Sequence, residues 1–222
     1  MSNLCMKYDF IYLASQSPRR QELLSQIGVD FQLLLPTPDE DAESLELTLA
    51  NESAADYTQR VTMAKSIAAI KRWQQQRQLN RDFPWAPIVC ADTTVSLPGS
   101  PDHEILGKPR DEEDALRILQ ILSGQTHWVY TAVAITPEPT SIPICALQKS
   151  TIRFAALSPK QIERYVSSGE AFGKAGAYGI QGMAATFIEE ISGSYSGIMG
   201  LPLFETAQLL QAAHVRFGLN RP

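Results

Sequence analysis

Phe10-Ile-Tyr-Leu-Ala-Ser15-Gln-Ser17-Pro18-Arg19-Arg20-Gln-Glu22-Leu-Leu24, near the start of the chain, reads as a strand that turns directly into a helix. Phe10 to Ala14 is a short apolar run of aromatic and branched side chains, the length of a buried strand. Ser17-Pro18 is a helix start, because serine caps and proline suits the first helical position, where no N–H is needed. Leu23, Leu24 and Ile27 supply an apolar stripe, and Gly28 ends the helix. The pair Arg19-Arg20 in the first turn does not fit. That end of a helix already carries partial positive charge, so a cation there costs from a few tenths to about 1 kcal/mol. Two guanidinium groups, free N–H groups and the hydroxyls of Ser15 and Ser17 converge on one place, which a bound polyanion such as phosphate would resolve. The competing reading is two solvated arginines on a surface helix.

Composition narrows what such an anion could belong to. The 222 residues suit a single domain spanning 1–222, with two lobes around a cleft, and 44% apolar and 19% charged residues give it a real core. A net charge of -5 argues against nucleic acid or an anionic membrane as the main partner. Phosphate chemistry therefore has to sit in a local basic pocket. There is no apolar run of membrane-spanning length and no signal-like segment ahead of the first strand, so a cytoplasmic location is expected. Cys5, Cys90 and Cys145 are scattered and read as reduced thiols, and His103, His127 and His214 are equally dispersed, which excludes a zinc site built on them.

Further along, Val29 to Leu35 reads as a second strand stopped by Pro36-Thr-Pro38. Residues 39–56 then carry seven acids and no base, mostly a solvated face, with Glu40 singled out because it comes directly off a strand end. Ala54 to Gln78 has a helical period through Tyr57, Val61, Ala64, Ile67 or Ala68 and Ile70, with Lys65 on the stripe's border and fraying expected over 74–80. Ile88 to Ala91 is a compact buried strand that runs into Asp92-Thr93-Thr94. An acid in such a strand is costly to ionise unless a cation or hydrogen bonds hold it, so a metal ligand or general base is the favoured reading of Asp92 over a turn cap. A hairpin turn at 98–102, two bases at Lys108 and Arg110, and a helix from Asp111 to Gly124 follow. Thr126 to Thr136 and Ile144 to Ala155 make an antiparallel hairpin, and Ser158-Pro159 starts another helix. The glycine-rich run 173–182 is too irregular for a core element and lets backbone approach a ligand, but lacks the pattern of a phosphate-binding loop of ATPases. Phe187 to Ile191 is a strand, 192–197 a loop, and the last helix runs from about Gly200 to Ala213.

The polar residues at strand-to-helix transitions are Ser15, Ser17, Arg19, Arg20, Glu40, Asp92, Lys108 and Gln181. With Lys65 they make a set in which bases meet phosphate oxygens and two carboxylates hold a divalent cation, Mg²⁺ or Mn²⁺. Five segments in order resemble the Maf (septum-formation inhibitor) family: Leu13 to Leu24, Ala91-Asp92-Thr93, Gly107-Lys108-Pro109-Arg110-Asp111, Leu122 to His127 and Lys174 to Gly182. The resemblance runs from about Ile11 to Leu210. It implies an α/β fold like that of the inosine triphosphate pyrophosphatases, with a long mixed sheet flanked by helices and a cleft between two lobes. It also implies a nucleoside triphosphate pyrophosphatase that cuts between the α and β phosphates. Under it Asp92 is the catalytic acid–base residue beside the metal, Ser15, Arg20, Lys65 and Lys108 hold phosphates, and Glu40 assists the metal. Arg19, Thr93 and Gln181 match the subgroup that prefers dTTP and UTP, and a homodimer is hinted at. A glutamine amide offers both donor and acceptor, which suits the N3–H and carbonyl edge of a pyrimidine dione. The rival readings are a non-catalytic regulator of cell division that binds nucleotide or nucleic acid, and a purine pyrophosphatase acting on inosine or xanthosine triphosphate.

Overall fold

The computed structural model describes residues 6–37, 40, 41, 44–99 and 105–218. Cys5, His103 and most of the expected turn at 98–102 lie outside them. The first stretch folds as read: β1 (Phe10–Leu13) runs into α1 (Pro18–Gln26), followed by β2 (Asp30–Leu33) and the long α2 (Ala54–Leu79). Then come β3 (Ile88–Ser96), the two-residue β4 (Ile105–Leu106), α3 (Glu112–Leu122), β5 (Thr126–Thr136) and β6 (Ile144–Phe154). The chain finishes with α4 (Pro159–Ser167), β7 (Ile188–Ser192), α5 (Tyr195–Met199) and α6 (Leu203–Ala212).

Among the described residues one mixed sheet of seven strands results, in the order β2-β1-β3-β5-β6-β7, with β4 paired to β3. β2, β1 and β3 are parallel, and from β3 through β5 and β6 to β7 every pairing is antiparallel. Alternation sorts the side chains of β1 and β3 onto two cores. Ile11, Leu13, Val89 and Ala91 pack with Leu23 and Leu24 of α1 and Leu209 and Leu210 of α6. Tyr12, Ile88 and Cys90 face Ala69 and Trp73 of α2. A third core gathers Leu119 of α3, Ile162 and Tyr165 of α4, Phe154, and Tyr178 and Ile180 of the glycine-rich run. That run is therefore irregular in backbone yet contributes to the interior, contrary to the expectation that it lies apart from the core. Among the described residues no helix is long and apolar enough to cross a membrane.

Two further elements differ from their sequence reading. The buried face of α2 keeps Tyr57 and Val61 of the expected stripe but then leaves it at Ala64 and Ile67, taking in Thr58, Thr62 and Ser66, while Ile67 is 50% exposed. The three hydroxyls donate to the carbonyls one turn back (Ala54, Thr58 and Thr62), which removes the cost of burying them. α2 also stays helical over 74–79, because the loop that follows is tied to it: Trp73 Nε1 donates to Pro84 O and Arg77 Nη1 to Phe83 O. At the other end, the expected loop over 192–197 contains the start of α5, capped by Ser194, whose Oγ accepts from Gly197 N at 3.0 Å.

His127 on β5 is fully buried, 2.9 Å from the Tyr178 hydroxyl and edge-on to Phe154. Burial pushes its imidazolium down to a pKa of about 4. The unfolded chain takes up that proton near the ordinary value of 6.5, so stability is lost as pH falls through the window between the two values. Urea unfolding should therefore show about 2 kcal/mol less stability at pH 5 than at pH 7 from this group alone, and His127→Gln should lack that component.

Candidate active site

The cleft arises from an interruption along one edge of β3. β1 pairs with β3 only at Ile88 and Val89, and β4 only at Val95 and Ser96. Between them, residues 90–94 carry no strand partner on that side among the described residues. The chain leaving β1 enters Ser15 to Arg20, and the chain leaving β4 enters Lys108 to Arg110, so both flank the gap in front of Asp92. A cleft of about 1230 Å³ opens there, lined also by Lys65 of α2, Lys174 and Tyr178 to Gln181 of the glycine-rich run, and Met199-Gly200. Among the described residues seven bases line it (Arg19, Arg20, Lys65, Arg72, Lys108, Arg110, Lys174) against four acids (Glu40, Asp41, Glu46, Asp92). An acidic chain thus carries a locally basic hollow, the surface a polyanion needs.

Asp92 shares its strand face with Cys90 and Ile88 and so looks toward α2. Lys65 Nζ donates to Asp92 Oδ1 at 2.6 Å and to Glu46 Oε1 at 2.7 Å. Those two carboxylate oxygens therefore stand no more than 5.3 Å apart. Lys108 donates to both oxygens of Glu46, at 3.0 and 3.3 Å. Glu46 sits on a 3₁₀ turn over Ser44–Glu46, whose last carbonyl accepts from the Tyr57 hydroxyl at 2.8 Å. Burial raises the Glu46 carboxyl, but the two ammonium groups more than offset it and hold it below its ordinary range.

Glu46 was not distinguishable in the sequence: it is one of seven acids in 39–56, with no periodicity to mark it. Glu40, the acid expected to reach the site, does line the cleft but does not meet Asp92. Arg72 takes both of its oxygens, Nη2 to Oε1 at 2.6 Å and Nε to Oε2 at 3.0 Å, and donates its Nη1 to Leu34 O. Arg72 is only 6% exposed, and a buried guanidinium needs a carboxylate of its own.

The two arginines of α1 turn out to have protein acceptors. Arg20 Nε donates to Gly200 O at 2.8 Å and Arg19 Nε to Met199 O at 3.3 Å, the carbonyls at the C-terminal end of α5. Their unfavourable place on one helix is offset by the negative end of another. Burial lowers the pKa of both guanidiniums, and the nearby Asp92 charge opposes that at Arg20. Ser17 occupies the cap position without a side-chain cap bond; Ser15 Oγ instead accepts from Ser17 N at 3.2 Å and from Arg20 Nη1 at 3.1 Å. Thr93 lies on the opposite face of β3 from Asp92, its Oγ1 3.1 Å from Thr131 Oγ1, which donates to Gly197 O. Gln181 is exposed on the cleft wall. The structure thus brings Ser15, Ser17, Arg19, Arg20, Lys65, Asp92, Thr93, Lys108 and Gln181 onto one cleft, and adds Glu46, Arg110 and Lys174.

Among the described residues no three His, Cys, Asp or Glu side chains cluster as metal ligands. The donor set on offer is two carboxylates already sharing one ammonium cation, which suits a hard cation that completes its coordination with water and phosphate oxygens. The model of the family described as Maf-like protein matches residues 10–213. This chain belongs to the Maf-like family. A Burkholderia pseudomallei (strain 1710b) protein named dTTP/UTP pyrophosphatase is 54% identical over 210 residues, 95% of this chain and 96% of that one. Proteins of the same name from Burkholderia lata (56%, over 93% of this chain and 94% of that one) and Cupriavidus pinatubonensis (54%, over 95% and 100%) match similarly. A solved nucleoside-triphosphatase / dITP/XTP pyrophosphatase from Mycobacterium abscessus overlaps more loosely, with a TM-score of 0.37 and 15% identity over 66% of this chain and 74% of that one.

In this Maf-like site, replacing Lys65 by Met would leave Asp92 and Glu46 facing each other without their shared cation. Urea unfolding of Lys65→Met should show a loss of roughly 2–3 kcal/mol at pH 7 that shrinks toward pH 4, where protonating one carboxyl relieves the repulsion.

Proposed function

We propose that the chain hydrolyses dTTP and UTP, and modified pyrimidine nucleotides of the same shape, to the monophosphate and pyrophosphate. The observation that carries this reading is the Lys65-bridged pair of Asp92 and Glu46 at the unpaired edge of β3, inside a cleft whose other charges are mostly positive. The relatives named dTTP/UTP pyrophosphatase, 54–56% identical over nearly the whole chain, support the same substrate class.

The basic rim acts first. Lys108 from the β4 side, and Arg20 with Ser15 from the β1 side, neutralise and align the triphosphate, which converts most of the catalytic problem into positioning. Asp92 accepts the proton of the attacking water as its oxygen bonds to the α-phosphorus and the bridging bond to the β-phosphate breaks. Lys65, already against Asp92, balances the charge that develops there and on the departing pyrophosphate. Asp92 and Glu46 would hold a divalent cation, Mg²⁺ or Mn²⁺, which when bound neutralises phosphate charge and acidifies water. Gln181, exposed on the cleft wall, reads the N3–H and carbonyl edge of the base, with Arg19 and Thr93 completing the selective part of the cleft.

Asp92→Asn should fold like the parent, judged by its melting curve, and lose at least about 10²-fold in pyrophosphate release from dTTP; wild-type turnover would remove Asp92 from the chemistry. Glu46→Gln should raise the Mg²⁺ or Mn²⁺ concentration needed for half-maximal turnover by about 10–100-fold. Glu40→Gln should leave that concentration unchanged and lower the melting temperature instead, because its partner is the buried Arg72.

A further inference from the structure

The reading of Gln181 as the base-selective residue raises a mechanical question. A side chain can discriminate between bases only if its own backbone is held, and Gln181 lies in the most irregular part of the chain. Gly179 to Gly182 is a tight turn, closed by Gly182 N donating to Gly179 O at 3.0 Å, with Ile180 and Gln181 at its two corners. Ile180 is 4% exposed and anchors its corner in the core, whereas Gln181 at the other is exposed and its amide makes no hydrogen bond among the described residues.

Two side chains outside the turn grip the backbone on either side of Gln181. Gly179 N donates to the Tyr165 hydroxyl at 3.2 Å, and that hydroxyl donates to Glu170 Oε1 at 2.9 Å. The other oxygen of the same carboxylate, Glu170 Oε2, accepts from Met183 N at 3.0 Å. One carboxylate thus ties down the chain two residues after Gln181 directly, and two residues before it through a phenol. The fit is close, since a Cβ on Gly182 would overlap the Glu170 carboxylate and push it out of its present position. A Cβ on Gly179 would press to 3.0 Å against Lys174, whose ammonium is in turn held by Glu170 O at 2.5 Å. Tyr165 itself is 3% exposed and packs edge-on against Phe187 at 5.2 Å, so the phenol is a fixed post and not a mobile tether.

We propose that Tyr165 and Glu170 are positioning residues for substrate selectivity, a clamp that holds the turn so that the Gln181 amide meets a pyrimidine dione in one orientation. The inference rests on Gln181 being the base reader. Neither residue touches substrate; each acts through the backbone of the turn. Bonds to an ionised carboxylate are stronger than neutral ones, which suits a group asked to restrain a glycine-rich segment. The entropy of ordering the turn is then spent on folding, so it does not weaken binding of the nucleotide.

The test measures pyrophosphate release from dTTP and dCTP for the parent, Tyr165→Phe, Glu170→Ala, Glu170→Gln and Gln181→Ala. Tyr165→Phe keeps the ring packing and loses only the link. Glu170→Gln keeps an acceptor for Met183 N and a donor for the phenol. The expected result is that Gln181→Ala collapses the preference for dTTP over dCTP. Tyr165→Phe and Glu170→Ala should each lower that preference about 10-fold, by raising KM for dTTP with kcat within about 3-fold. Glu170→Gln should restore most of it. Amide hydrogen exchange in residues 176–183 should quicken in Tyr165→Phe and Glu170→Ala alone, a readout that stands even if Glu170→Ala loses stability. If Gln181→Ala abolishes the preference while Tyr165→Phe and Glu170→Ala leave it and KM unchanged, the clamp is refuted and the base reader stands. If Gln181→Ala leaves the preference intact, the base reader falls and the clamp's role in selectivity falls with it.

Discussion

Two carboxylates sharing one ammonium group is the arrangement on which the rest of the site depends. At an effective dielectric near 20, two negative charges about 5 Å apart repel by about 3 kcal/mol, and Lys65, donating to both Asp92 and Glu46, offsets that repulsion. That requirement reaches far from the cleft. Lys65 must be carried on a helix rigid enough to keep its Nζ within 2.7 Å of both acids. α2 meets that need through its buried hydroxyl face against β3, and through Arg72 and Trp73, which lock the helix to the end of β2 and to the loop before β3. The Arg72–Glu40 pair is therefore read as part of the scaffold for Lys65, although it borders the same hollow.

The place of the cleft follows from topology. β3 is where the sheet changes from parallel to antiparallel pairing, and its β1 edge is shared by two short partners that do not meet. Each partner ends at the gap and delivers its following loop there: Ser15 to Arg20 at the carboxyl end of β1, Lys108 to Arg110 beyond β4. Ligand crevices in open α/β sheets form outside the carboxyl ends of strands for the same reason, since diverging connections leave room and place helix N-termini beside it. Alternation along β3 then assigns opposite faces to successive residues, giving Asp92 to α2 and Thr93 to the α5 side.

How much of this could be read without coordinates depends on whether the signal was local. β1 with α1, the β5–β6 hairpin and the Ser158-Pro159 helix start were legible because apolar period, turn residues and caps agree over a few positions. The inward face of α2 was not, because Thr58, Thr62 and Ser66 look polar until their hydroxyls are seen bonded to the helix's own carbonyls. In the site, Asp92 and the α1 arginines stood out by being costly where they sit, and Lys108 through the Gly107 to Asp111 segment that carries the resemblance. Glu46 did not, since nothing in an acid-rich segment separates an acid facing a lysine from one facing water. The Tyr165–Glu170 grip was equally hidden, because it joins residues 13 and 14 positions apart through backbone N–H groups that carry no sequence label.

The misfit of Arg19 and Arg20 resolves differently from the way it first reads. A bound polyanion is not required to explain them, because the carbonyls of Met199 and Gly200 already receive both guanidiniums. Those carbonyls are available only because α5 stops there, with Gly200 at φ +116°. The arginines are thus oriented before any ligand arrives, and Arg20 bonds the protein through Nε and Nη1, with no bond made by Nη2 among the described residues. A polyanion that enters the cleft meets donors whose rotamer entropy has already been lost in folding, which is the condition under which charge-assisted contacts contribute most to binding and positioning. The cations that seemed to destabilise α1 are held by the carbonyl end of α5, and under the proposed function they form the fixed half of the triphosphate site.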